Sequence, residues 1–207
     1  MEYNIDFSEL INSVNSKAED IYTFEDIISL EDSKDRGIFL GTIEDGTGVG
    51  VDSIIRYWNK MDNEKNIPVE ERKPIKIYID SCGGSLTDTL TIIDSIKMSK
   101  TPIWTINTGC AYSGGFFTTI SGHKRFAYPH ASFLFHEGST STGGTSSQFE
   151  NYSAFYKKQL SQLKDITLKN TKISEDLYKE KQREDWWIDA NEALELGIID
   201  EIAKELI

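Results

Sequence analysis

A chain of 207 residues is long enough for one domain with a substantial core, with room for an appended element. Its formal net charge of −12, unbroken by any Lys/Arg cluster, repels a phosphate backbone and excludes nucleic acid as an expected partner. The acidic start Met1-Glu2-Tyr3-Asn4-Ile5-Asp6, apolar runs too short to span a membrane and only two cysteines, Cys82 and Cys110, lead us to expect a cytoplasmic protein with reduced thiols, no membrane contact and no metal.

Residues 1–36 are rich in Asp, Glu, Ser and Asn and read as short, loosely attached helices, with apolar spacing at Phe7, Leu10, Ile11 and Val14 and again over 24–30. Ile38, Leu40 and Ile43 alternate as in a strand buried on one face. After the glycine turn 46–50, Val51, Ile54, Ile55, Trp58 and Met61 mark one face of a packing helix, and residues 62–74, with Pro68 and Pro74, form an exposed connection. A strand carrying Ile75, Ile77 and Ile79 runs into Ser81-Cys82-Gly83-Gly84-Ser85, and a helix over about 86–98 follows. Pro102 precedes a third strand over 103–106, which leads into Gly109-Cys110-Ala111-Tyr112-Ser113-Gly114-Gly115, read as strand, tight turn and helix. The alternation β-α-β-α favours parallel strands with right-handed crossovers, hence an α/β fold, and places Gly83-Gly84 and Ser113 at neighbouring strand ends. Short strands over 125–128 and 132–135 follow, the second ending on His136, and residues 138–147 are only Gly, Ser and Thr. A long amphipathic helix extends from about 148 to 169, another starts at Ser174, and Trp186-Trp187-Ile188 reads as a buried extended segment. Asp189 and Glu192 are spaced as a capping box for the helix 190–196, which Gly197 closes.

Standing alone, Ser113 reads first as an N-cap, which satisfies an orphan N–H and carries no chemistry. The alternative is a nucleophile projecting from a crowded strand-to-helix turn. A serine hydroxyl then needs a general base, and the base an orienting acid. Of the three histidines, His123 lies in a polar turn and His130 follows Pro129, so both read as solvated. His136 ends an alternating strand beside small residues and is the candidate base; the competing reading is a strand-end histidine bonded to a carbonyl. Two backbone N–H groups are needed to hold an oxyanion, and Gly84 and Gly114 are the natural donors where their turns face each other. Many carboxylates could supply the acid; Asp189 is explained as a cap, whereas Asp185 serves no evident backbone role. Cys110 reads as a small hydrophobe pointing into the core. No Gly-Lys-Ser/Thr ending is present, so a nucleotide loop is not expected.

Together these motifs, from about Ile38 to Ile202, resemble the ClpP family, the proteolytic subunits of the Clp protease. The family's Ser-Pro-Gly-Gly appears here as Ser81-Cys82-Gly83-Gly84, and its nucleophile turn, Gly-Gln-Ala-Ala-Ser-Met-Gly, as the segment 109–115, at the family's separation. Its histidine falls on His136, its Arg-Asp-aromatic acid position on Asp185, and its Ala-Pro-Glu-Ala close on the segment 190–200. The sequence departs from the family at Cys82, where a proline is usual, at Gly114 in place of methionine, and at Arg183-Glu184, where the charges are reversed.

The resemblance implies a crotonase-like β/α spiral with a protruding long helix, a divergent amino-terminal segment over 1–36 and a protease domain over 37–207. It further implies a Ser113-His136-Asp185 triad with Gly84 and Gly114 as oxyanion donors, in an endopeptidase that cleaves unfolded polypeptides. Heptameric rings stacked in pairs, through the long helix, would enclose the sites, and an AAA+ unfoldase would spend ATP to feed them; the chain itself would need no cofactor. The Gly-rich segment would pair with substrate as an added strand. Three rivals stand beside this reading: a non-catalytic ring subunit paired with an active paralogue, a phage-type maturation protease, and an acyl-CoA enzyme on the same general fold.

Overall fold

The computed structural model describes residues 34–207, so the helices expected near Phe7 and Phe24 lie outside the described residues. Residues 35–207 form one compact unit. Its frame comes from the alternating isoleucines: Ile75, Ile77 and Ile79 on β2 (Ile75–Ser81) are all fully buried, as are Ile103 and Ile106 on β3 (Ile103–Tyr112). Period-two alternation puts the three β2 isoleucines and Ile103, opposite Ile75, on one face and Ile106, opposite Tyr78, on the other; removing each from water is worth about 2 kcal/mol, which drives both faces of the sheet into packed layers. Strand β1 (Gly37–Leu40) pairs parallel to β2, and β4 (Lys124–Ala127) parallel to β3. Helix α1 (Thr47–Glu64) connects β1 to β2 and α2 (Leu86–Met98) connects β2 to β3, as the β-α-β alternation predicts. Ser85 caps α2 by accepting from the Asp88 N–H.

Strand β3 runs to Tyr112, well past the expected end at residue 106, because its polar stretch is paired instead of looped. Residues 104–107 pair with β4, and residues 110–112 pair with β5 (Ser132–Phe135), so β3 forks the sheet. Asn107, fully buried at the fork, donates to the Ser132 carbonyl and accepts from the Gly109 N–H. On the other edge the register slips: Ile79 faces Asn107 but Ser81 faces Ala111, leaving a bulge at Thr108-Gly109. The Asp80 carboxylate accepts from the Cys110 N–H at 3.0 Å across that bulge.

The remaining elements are α3 (Gly114–Thr119), α4 (Ser146–Asn170), α5 (Glu175–Lys181), β6 (Trp186–Asp189), α6 (Ala190–Glu195) and β7 (Glu201–Ile202). Strand β6 pairs antiparallel with β5, and β7 parallel with β4. A reciprocal Thr145–Gln148 capping box starts α4. For α6 only half of the expected box forms: Asp189 accepts from the Asn191 and Glu192 N–H groups, without a bond back from Glu192. Of the expected buried segment on β6, Ile188 is buried, but Trp187 is 57 % exposed and rests edge-on against Tyr112, because a period-two strand turns it to the other face. Among the described residues no helix is long and apolar enough to cross a membrane.

The connection 62–74 is less exposed than its charges suggest. Asp62 is fully buried and takes a two-pronged contact from Arg36, at 2.6 and 2.8 Å, and a third bond from the Thr101 hydroxyl. Burial pushes the Asp62 carboxyl up, but the Arg36 and Thr101 bonds and the charges of Arg36 and Arg72 outweigh it, leaving the group below the ordinary carboxylate range. A depressed folded-state pKa contributes stability above the unfolded value, near 4, and loses it as pH falls through the folded one. Asp62→Asn is therefore expected to cost about 3 kcal/mol near neutrality by stranding the Arg36 charge. The gap from the parent in urea midpoint should narrow below about pH 4, and a pH-independent gap would contradict the assignment.

Candidate active site

Ser113 sits between β3 and α3 with φ 51° and ψ −116°, a backbone conformation that a side chain larger than glycine rarely adopts. Such strain costs about 1–3 kcal/mol and persists only where the surroundings impose it. Here they do. The Ser113 N–H donates to the Leu134 carbonyl at 2.9 Å, and its own carbonyl accepts from the Phe117 N–H. The neighbouring turn presses in so closely that a Cβ on Gly83 would lie 2.7 Å from the Ser113 Cβ. Although Ser113 occupies the N-cap position of α3, its side chain makes no capping bond. The N-cap reading of this serine fails on that observation, and the hydroxyl is left free.

The turn opens onto a cavity of about 250 Å³ bordered by Ser113, Gly114, Gly84 and His136. Gly84 is held by a parallel bridge to Ile43: the Ile43 N–H donates to the Gly83 carbonyl and the Ser85 N–H to the Ile43 carbonyl. That pattern turns the Gly84 N–H away from Ile43, and Gly114 opens a helix whose first N–H groups have no intrahelical acceptor. Neither N–H enters a hydrogen bond among the described residues, and both glycines border the cavity. Two free donors thus share a wall with a free hydroxyl.

His136 follows β5 directly and is half-buried at the cavity edge. Asp185 is exposed and does not border the cavity. The β5–β6 ladder ends at Phe135↔Trp186, and one step further along that antiparallel register His136 faces Asp185. Directly opposed residues point to the same side of a sheet, with Cβ atoms about 5 Å apart where pairing persists. Among the described residues, no hydrogen bond joins the side chains of Ser113, His136 and Asp185. The geometry therefore gathers the serine, the histidine and both glycines in one cavity, and leaves Asp185 beside the histidine by register alone.

Two readings of neighbouring residues change. His123 is more than a solvated turn residue, since its Nδ1 accepts from the Ile103 N–H at 2.9 Å and ties the turn to β3. Cys110 does not point into the core; it is half-buried on the face of β3 opposite Ala111, near Asp80. Burial and the Asp80 carboxylate push its thiol up to about 12, and Cys110 does not border the cavity, so it does not compete with Ser113 for a substrate carbonyl. The cavity wall also contains Tyr156, Leu160 and Leu163 of α4, with Leu86 and Phe117. The spacing of the α4 residues marked an amphipathic face, yet nothing local said that this face would close a site. Burial lifts the Tyr156 hydroxyl above the ordinary phenol range. Among the described residues no group of His, Cys, Asp and Glu is arranged to hold a metal.

Comparison with known proteins gives a consistent picture. A family model described as Clp protease matches residues 59–205. The chain is 34% identical over 177 residues to the ATP-dependent Clp protease proteolytic subunit of Streptococcus mutans, spanning 83% of this chain and 86% of that one. It is 34% identical over 177 residues to the same-named subunit of Lactococcus lactis subsp. lactis, covering 83% and 84%. A proteolytic subunit 2 from Treponema pallidum is 30% identical over 135 residues, or 64% and 68% of the two chains.

Proposed function

The chain belongs to the Clp protease family, and on that premise we propose that it is a serine endopeptidase subunit of the ATP-dependent Clp type. The observation that carries the reading is the strained, uncapped Ser113 opening onto one cavity with His136 and two unengaged backbone donors. In this mechanism His136 takes the Ser113 proton as Oγ attacks a peptide carbonyl, and the Gly84 and Gly114 N–H groups receive the developing oxyanion. The imidazolium then protonates the leaving amine, and water, activated by the same histidine, releases the acyl group. Asp185, facing His136 by register, fixes the imidazole tautomer once the two side chains turn toward each other. Catalytic hydrogen bonds are commonly long or unmade in a resting site and tighten with substrate bound. Replacing the family's methionine by Gly114 leaves this scheme intact because the donor is main-chain.

Further elements of the proposal rest on the family and on the surface of α4. Of its 25 residues only Leu163 and Thr167 are buried, and Phe149 and Phe155 are each more than half exposed. An apolar face of this kind fits a protruding helix that docks a second ring. We therefore assign a crotonase-like spiral over 37–207, with 1–36 as a separate segment, in heptameric rings stacked in pairs. An AAA+ unfoldase would deliver unfolded polypeptide in the cytoplasm and consume the ATP, so the subunit itself would need no cofactor. The 138–145 segment, free of secondary structure, would pair with the substrate strand.

A fluorophosphonate probe should label the folded protein at Ser113 alone, read by peptide mass spectrometry. Labelling at another residue would refute the assignment. A folded protein inert to both the probe and unfolded substrates would be a non-catalytic ring subunit.

A further inference from the structure

The only two cysteines of the chain lie at neighbouring strands beside the cavity. Ser81 and Ala111 face each other across β2 and β3 and are both fully buried, so the residues flanking that pair lie on the opposite face. There the Cys110 side chain neighbours both the Asp80 carboxylate and the Cys82 side chain. Neither cysteine is in a disulfide; Cys82 is exposed, borders the Ser113 cavity and immediately precedes Gly83-Gly84. Cys82 is thus reachable from the cavity by a small oxidant, and the other thiol lies beside it on the neighbouring strand.

We propose that Cys82 and Cys110 form a reversible disulfide that switches the adjoining site off under peroxide, a proposal that rests on the hydrolase reading of Ser113. The Cys82 thiolate attacks hydrogen peroxide: an S–O bond forms, the O–O bond breaks, and the departing hydroxide leaves as water with the proton of the thiol. The Cys110 sulfur then attacks the sulfenic sulfur, Asp80 relays the thiol proton to the departing hydroxide, and the S–O bond breaks to release a second water. Two thiols are oxidised by two electrons and one peroxide is reduced to two waters. A dithiol reductant reverses the step by exchange.

The link acts on the site through chain geometry. A disulfide sulfur pair lies about 2.05 Å apart, much closer than two unbonded sulfurs can approach, so one side must move. Strand β3 is held by partners on both edges, whereas residue 82 lies beyond the end of β2, and the shift falls on its turn. That turn carries the Gly84 N–H, and displacing a catalytic group by about 1 Å costs on the order of a hundredfold in rate.

The test uses the full chain, treated with hydrogen peroxide and then with dithiothreitol. After peroxide we expect a loss of two hydrogens in intact mass and a cross-linked peptide pair containing Cys82 and Cys110. Peptidase activity should fall by at least about tenfold and return on reduction. Cys110→Ser should keep its activity through a brief peroxide pulse, and a dimedone adduct should appear at Cys82. Thiols that both remain open to alkylation after peroxide, or equal inactivation of the parent and Cys110→Ser, would overturn the proposal. The mass readout is independent of turnover. Formation of the link in a protein with no peptidase activity and no probe labelling would overturn the hydrolase reading and the switch of that activity, but leave the disulfide.

Discussion

Ser113→Ala is expected to lower peptide turnover by about four to six orders of magnitude, while shifting stability by no more than about 0.5 kcal/mol. The small stability effect follows from the structure. The Ser113 hydroxyl caps nothing, and the strained backbone is held by main-chain bonds to Leu134 and Phe117 that alanine keeps. In the proposed mechanism, the large kinetic effect follows from the loss of the atom that forms the acyl bond. His136→Ala should do comparable damage, and the double variant should be little worse than either single one, because nucleophile and base act as a unit. Steady-state cleavage of a fluorogenic peptide, with thermal unfolding run in parallel, reads both quantities. A Ser113→Ala protein within tenfold of the parent would end the mechanism, as would additive losses in the double variant.

Gly84→Ala should abolish activity together with much of the stability. At φ +146° the residue occupies a conformation that side chains rarely adopt, and an added Cβ would lie 2.1 Å from the Ile43 carbonyl oxygen. Backbone cannot yield by rotating a side chain, so either the bridge to Ile43 breaks or the turn carrying the Gly84 N–H is displaced. A loss of about 2–4 kcal/mol in chemical denaturation is expected, with activity down at least about a hundredfold in whatever remains folded. Gly41→Ala is the control, since its new methyl would meet nothing within 4 Å. If Gly84→Ala and Gly41→Ala behave alike, the close approach of the two turns is not what shapes the site.

Much of the architecture is local enough to be read from the chain. Ile75, Ile77 and Ile79 alternate because one face of a strand is buried, and helix α2 begins and ends at the residues its spacing predicts, 86 and 98. The motif pair at 83–84 and 113–115 identified the turns that border the cavity, and the end of β5 pointed to His136. Each of these signals lies within a few residues, where periodicity and turn chemistry operate.

Composition, net charge, the alternation of strands and helices and the residue types of the two turns were thus determined by the sequence itself. Tertiary structure alone decided that Ser113 is strained and uncapped, that Asn107 forks the sheet and that Asp62 is buried under Arg36. It likewise decided that Asp185 falls opposite His136, one step beyond the β5–β6 ladder, and that Cys82 comes beside Cys110. The physical reason is common to all five. A hydrophobic period reports which face of an element avoids water, but a hydrogen bond, a register or a sulfur contact depends on which distant segment arrives opposite, and that is settled only when the layers pack.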